Sequence, residues 1–340
     1  MLNQLDRLPP ALLTATPAEL ADLLGGPTLL HLPGRRPAPL FVSILLHGNE
    51  DAGLRAIQRL LTKHKDTELP RALSLFIGNV SAARLGLRRL EDQPDYNRVW
   101  PGGVQAEAPE ARMMASVIET MRERNVFASI DVHNNTGLNP HYACVNSLDR
   151  RFLHLAVLFS RTVVYFTEPR GVQSLAFAQL CPAVTIECGK PGSAGSDTHA
   201  AEFIEAALHL SEFPHHPVPA HDIDLYHTIA TVKIPEGVRF SFDGSPADIM
   251  FDPDIDHLNF RELAVGARLA TVSNACTTPL HVPRADGSNR WQELFKVRDG
   301  TLCLQRALMP SMLTLDRHIV RQDCLCYLME RLAPESGTGR

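Results

Sequence analysis

Aromatic residues are scarce in this 340-residue chain, 6% in all with only two tryptophans, and no apolar run reaches membrane-spanning length. The best stretch, 154–166, is short and interrupted by Arg161, so a transmembrane helix is excluded. Positive charge is not in excess either. Lys and Arg number 33 against 38 Asp and Glu, a net charge of −5, which removes the electrostatic ground for binding nucleic acid or an anionic membrane. Seven cysteines lie scattered, an odd number without zinc-knuckle spacing, and read as cytoplasmic thiols rather than a disulfide framework. The first ten residues lack a basic segment followed by an apolar one, so no signal peptide is expected. Internal repeats and low-complexity tracts are missing too. What remains is 44% hydrophobic and 21% charged, the balance of a globular protein with a substantial core. Its length suits two domains, and a homo-oligomeric state is left open.

Residues 1–26 read as a helical preamble, with Thr16-Pro17-Ala18-Glu19 as a helix start. Two strands, 29–32 and 40–46, flank a turn at 33–37. Helix is expected over 52–64, 109–124, 148–162 and 198–210, and strand over 72–77, 127–132, 142–145, 163–166 and 183–188. The polar stretch 78–103 has no period and reads as a long loop of the kind that carries function. This alternation predicts an α/β domain with a parallel or mixed sheet, whose sites form beyond the carboxyl ends of strands. A proline-rich linker at 213–219 marks the boundary. We expect a domain over 1–215 and a smaller β-rich domain over 216–340, where short strands at 229–234, 238–242 and 269–272 are divided by turn residues. The tail, 334–340, reads as disordered.

Within the first domain, the apolar run Phe41-Val-Ser-Ile-Leu-Leu46 ends in His47-Gly48-Asn49-Glu50 and turns directly into helix. An imidazole and a carboxylate at such a corner converge on one point, and both are ordinary zinc ligands. Two other His-x-x-Glu pairs, His199/Glu202 and His209/Glu212, fall on or at the end of the 198–210 helix and read as helix faces. The stretch Ser129-Ile-Asp131-Val-His133-Asn-Asn-Thr136 places His133 at the end of a separate strand, a long-range third ligand, with Asp131 two residues back to orient a ligand. Glu187 interrupts the apolar strand Val184-Thr-Ile-Glu187-Cys-Gly. A buried carboxylate is costly without a partner; it either pairs with a cation such as Lys190 or serves as the base that takes a proton from a metal-activated water. The 78–103 loop adds Arg84, Arg88, Arg89 and Arg98, side chains able to grip a carboxylate or steady an oxyanion.

His47-Gly-Asn-Glu50, Asn97-Arg98, Asp131-Val-His133-Asn and Thr185-Ile-Glu187-Cys-Gly together resemble, in kind and order, the succinylglutamate desuccinylase/aspartoacylase family, a branch of the zinc carboxypeptidase superfamily. The likeness covers residues 40–215. It implies a zinc-carboxypeptidase-like mixed sheet flanked by helices, one Zn2+ per chain on His47, Glu50 and His133, and Glu187 as general base. It further implies that Asn97 and Arg98 hold a substrate carboxylate and that Arg88 polarises the scissile carbonyl. The interval before Asn97-Arg98 is longer here by Gln93-Pro94, so Arg88 and Arg89 are alternatives for that last role. The expected activity is hydrolysis of an amide in a small N-acyl amino acid or similar carboxylate-bearing compound. A carboxypeptidase acting on short peptides is the alternative, and a non-catalytic zinc- or ligand-binding relative the second.

Overall fold

The computed structural model describes residues 2–284 and 286–332; the expected disorder of 334–340 lies outside them. The described chain forms two compact units, residues 2–134 with 141–225, and 135–140 with 226–332.

In the first unit eight strands lie side by side. They are β1 (Asn3–Leu5), β2 (Thr28–Leu32), β3 (Gly34–Ile44), β4 (Leu69–Ile77), β5 (Ala128–His133), β6 (Tyr142–Val145), β7 (Thr162–Tyr165) and β8 (Ala183–Glu187). Their spatial order is β1-β2-β4-β3-β5-β8-β6-β7. The centre of this mixed sheet is parallel: β4, β3, β5 and β8 all run one way, with β3 registered on β5 and β5 on β8. Every residue of β5 and β8 is buried, as parallel strands covered on both faces require.

Helices account for the covering. They are α1 (Leu20–Leu24), α2 (Ala52–Lys63), α3 (Val80–Arg84), α4 (Pro109–Glu123), α5 (Arg150–Val157), α6 (Gln173–Phe177) and α7 (Ser196–His209). In α2, Leu54, Ile57, Leu60 and Leu61 form the buried stripe that the three-and-four spacing predicts. Gly53 of α2 leaves no room for a Cβ against Ile44 and Val132, so this helix lies tight on one face of the sheet. The opposite face carries the alternate residues of β5, namely Ser129, Asp131 and His133, and there Gln173 of α6 donates to Ser129 Oγ at 2.6 Å. The polar side chains of β5 therefore lie on a single face.

Arg71 of β4 is buried within this unit. It donates to Ala38 O and Leu210 O, both at 2.8 Å, and its guanidinium lies 3.6 Å from the Phe127 ring centroid. Burial pulls its pKa down to about 10, with Arg36 adding to the effect.

Some local expectations change. The preamble is not all helix: it opens as strand β1, which pairs in parallel with β2. Thr16 and Glu19 do form the expected cap, with Thr16 N–H donating to the glutamate at 2.7 Å. The stretch expected as a turn at 33–37 instead enters β3 at Gly34, and the strand's register shifts between Arg36 and Leu40. That irregularity lets Pro37 and Pro39, which have no N–H to give, sit in a strand. The helix expected over 148–162 stops at Val157, and 78–103 contains the short helix α3.

The second unit is β-rich. Strand Cys326–Arg331 pairs antiparallel with Met309–Ser311 and with 226–232. A separate five-stranded sheet orders Phe240–Ser241, Ile249–Phe251, Arg268–Val272, Thr301–Leu304 and Phe295–Arg298. Its core gathers Phe240, Phe251, Leu280, Trp291, Leu302 and Leu304. Among the described residues no helix is long and apolar enough to cross a membrane.

Candidate active site

The corner after β3 is built by conformation as much as by sequence. Leu45, fully buried, has φ +54, a region non-glycine residues seldom adopt. It ends the strand two residues earlier than its apolar run and swings His47 over the sheet's edge. Gly48 follows, donating its N–H to Arg88 O at 3.1 Å. It lies so close to α3 that a Cβ would meet Ala83 N at 2.2 Å. Only glycine fits there, and its place lets Glu50 fold back on His47.

Three buried side chains then converge. Glu50 Oε1 lies 2.8 Å from His47 Nδ1, and Glu50 Oε2 lies 2.7 Å from His133 Nδ1. The two rings are 5.0 Å apart between centroids, and all three ligand atoms fall within 4.8 Å of one another. It is the one such cluster among the described residues; His199/Glu202 and His209/Glu212 form none. Each outer nitrogen meets an aspartate: His47 Nε2 is 3.0 Å from Asp95 Oδ1, and His133 Nε2 is 2.8 Å from Asp131 Oδ2. With carboxylates at both nitrogens, each ring donates Nε2–H outward and Nδ1–H to Glu50, and loss of the Nδ1 proton turns that lone pair inward. These donors, braced from outside by carboxylates, suit a metal ion.

Electrostatics agree. Burial works to raise Glu50, but the imidazoles of His47 and His133 outweigh it and hold the carboxyl far below its usual range. Burial works to lower both imidazoles, and for His47 Arg88 adds to it. The carboxylates still win, leaving His47 above its ordinary value and His133, between Asp131 and Glu50, well above. Asp95 is likewise driven well below its usual value, against burial, by His47 and Arg88. A cation entering here displaces protons and keeps the same carboxylates.

Glu187, the last residue of β8, is buried and sits in register with His133 on β5 and with Tyr142 on β6. Registered residues of neighbouring strands share a face about 4.8 Å apart, so Glu187 and His133 leave the sheet on the same face. Asn134 joins the segments. Its N–H donates to Glu50 Oε2 at 3.2 Å, its Oδ1 accepts from Ala52 N at the start of α2 at 3.0 Å, and its Nδ2 donates to Gly189 O at 2.9 Å.

The loop arginines separate. Arg88 turns in, donating to Asp95 Oδ2 at 3.0 Å with its other amine 3.7 Å from Glu50 Oε1. Arg89 turns back on its own loop, onto Gln93 O at 2.8 Å. Asn97 reaches Asp131 Oδ2 at 3.4 Å and His133 Nε2 at 3.1 Å, and accepts from Gln173 N at 2.9 Å. Arg98 donates to Asn97 O at 2.8 Å and contributes to the lowering of Asp95. Asp95 went unassigned in the sequence: an aspartate in a polar loop carries no signal until the loop's path is known.

A family model for the succinylglutamate desuccinylase/aspartoacylase catalytic domain matches residues 40–211. No curated protein sequence matches the chain. Solved structures with a similar fold include the succinylglutamate desuccinylase of Chromobacterium violaceum, at 17% identity over 87% of this chain and 86% of that one, with a TM-score of 0.55. Murine aminoacylase 3 is 12% identical over 88% and 96%, with a TM-score of 0.58. A product-bound ectoine utilization protein, EutE (DoeB), from Ruegeria pomeroyi is 15% identical over 89% and 88%, with a TM-score of 0.54.

Proposed function

The chain belongs to the succinylglutamate desuccinylase/aspartoacylase family, and from that premise we propose that it is a zinc-dependent hydrolase cleaving the amide bond of a small, carboxylate-bearing N-acyl amino acid or related compound. One observation carries the reading: His47, Glu50 and His133 converge in a buried cluster, with Glu187 in register beside it.

The geometry supports a division of labour among these residues. His47, Glu50 and His133 hold one zinc ion per chain. When bound, zinc acts as a Lewis acid and brings the pKa of its water down to about 7. Glu187 takes a proton from the attacking water and returns it to the leaving nitrogen; such a base contributes roughly 10²–10⁴-fold in rate. Arg88 offers its guanidinium to the carbonyl oxygen as charge gathers there. Arg98, with Asn97 beside it, holds the substrate carboxylate. The catalytic share falls to residues 1–215 and the β-rich remainder to 216–340. Net negative charge and the absence of disulfides among the described cysteines support a cytoplasmic enzyme of small molecules.

The test pairs metal analysis with a substrate comparison. Purified protein should contain about one zinc per chain and hydrolyse acetyl- or succinyl-amino acids faster than short peptides. Turnover of peptides alone would replace the deacylase with a carboxypeptidase. Zinc without turnover of either class would leave a binding protein.

A further inference from the structure

A second pair of imidazoles meets outside the His–Glu–His cluster. His141, one residue ahead of β6, places its Nδ1 2.7 Å from Nδ1 of His199 on α7. Their ring centroids are 5.0 Å apart and their planes 18° apart, so the rings meet edge to edge. Phe159 lies parallel to both, within 12° of each. Ser160 Oγ donates to His141 O at 2.9 Å, which fixes the backbone that carries the ring. The other nitrogen of His141 faces the chain just past Glu187. A Cβ on Gly189 would lie 3.4 Å from Nε2, and the Cys188 backbone hydrogen-bonds the ring. Burial and the neighbouring His199 hold His141 below its ordinary value while Cys188 pulls the other way, as an accepting carbonyl does. The neutral ring therefore donates Nε2–H to Cys188 O and accepts at Nδ1 from His199 Nδ1–H.

We infer that His141 is a positioning residue for Glu187: squared up by His199, it pins the Cys188 carbonyl and so fixes the strand end that carries the base. Strand β8 stops at Glu187, and Gly189 already has φ +73, so the chain bends away within two residues. Two bonds tie this bend to the segment after β5. Cys188 N–H donates to His133 O at 2.9 Å, and Gly189 O accepts from Asn134 Nδ2 at 2.9 Å. Neither touches the Cys188 carbonyl. His141 supplies that third point and refers it to α7 through His199. Without it the peptide after Glu187 can rock about its remaining bonds and carry the carboxylate with it. The inference rests on the reading of Glu187 as the general base.

Two substitutions divide the ring into its halves. His141→Asn sets an amide where Nδ1 stood, keeping His199 but falling short of Cys188; the longer His141→Gln reaches Cys188. Both histidines are only half-buried, so neither change strands a core group. Amide hydrogen exchange reads the bend without substrate, since it reports local opening. At Cys188 and Gly189 it should quicken in His141→Asn and match wild type in His141→Gln, with zinc content unchanged in both. On N-acetyl- or N-succinyl-amino acids, His141→Asn should lose about 10–100-fold in kcat with KM little changed, a 1 Å misplacement being worth roughly 100-fold. His141→Gln should recover most of that loss. Wild-type exchange at the bend in His141→Asn overturns the inference, and so does an equal change in both variants. Wild-type protein that hydrolyses neither substrate class refutes the function proposed above, while the exchange comparison still decides whether His141 holds the bend.

Discussion

Replacing Gly48 with alanine tests the ligand corner through sterics alone. The new methyl carbon would stand 2.2 Å from Ala83 N, 2.4 Å from Ala82 C and 2.7 Å from Leu87 O. All three are backbone atoms, so no side-chain rotation makes room. Ordinary contact begins at 3.4 Å, so the corner must withdraw by about 1.2 Å, where a metal constellation tolerates roughly 0.5 Å. The withdrawal also stretches the Gly48 N–H bond to Arg88 O. Overpacking of this kind costs about 1–3 kcal/mol, and a domain of 150–250 residues loses about 2–4 °C of Tm per kcal/mol. The metal-free protein should therefore melt roughly 2–12 °C lower. Zinc affinity should fall at least as far as when a ligand's outer partner is lost, about 10–100-fold. Gly237→Ala is the control, since nothing lies within 4 Å of a Cβ there. Calorimetry and chelator competition on both variants give the answer. If Gly48→Ala melts and binds zinc as Gly237→Ala does, the tight approach of α3 to the corner is not what holds His47 and Glu50.

Glu187→Gln should keep zinc and fold while lowering kcat by about 10²–10⁴-fold; activity surviving the change assigns the base elsewhere. The two sides of the cluster also give opposite pH trends. His47 and His133 are raised above 6.5, so their contribution to metal-free stability is complete below pH 6.5 and fades as pH climbs through the raised values. Glu50 and Asp95 are lowered from 4.5 and 3.8, so theirs is present above those values and fades in stronger acid. Zinc must displace the imidazolium protons, so its stabilising effect grows as pH rises from 6.5. Melting with and without chelator at mildly acidic and mildly basic pH should show the gap widening; a gap that narrows contradicts the assignment of ligands.

Much of this site could be read along the chain because its residues break local rules. His47 and Glu50 follow an apolar strand with no turn sequence between, and Glu187 stands where a buried strand should carry an apolar side chain. Such departures from pattern mark functional positions. The parallel alternation that places His47, His133 and Glu187 at strand ends was legible for the same reason. Arg88 and Arg89 were not separable, since neighbours in an aperiodic loop differ only in backbone direction. The reach of Asp95 to His47 was hidden likewise, because it depends on tertiary path. Strand β1 escaped notice because three residues, Asn3 to Leu5, none of them fully buried, are too few to show a period. The prolines near 37 suggested a turn because the β3 irregularity that accommodates them is a property of pairing, not of composition.

Arg71 has a consequence for how the first unit can be cut. Its guanidinium joins a carbonyl just ahead of the family-matched stretch, at Ala38, to one at its far end, at Leu210. An excised fragment starting at residue 40 would strand half of a buried cation's acceptors, a loss of about 1–3 kcal/mol. A fragment that keeps this clasp starts upstream of Ala38 and runs past Leu210, its ends joined by one side chain from the middle of the sheet.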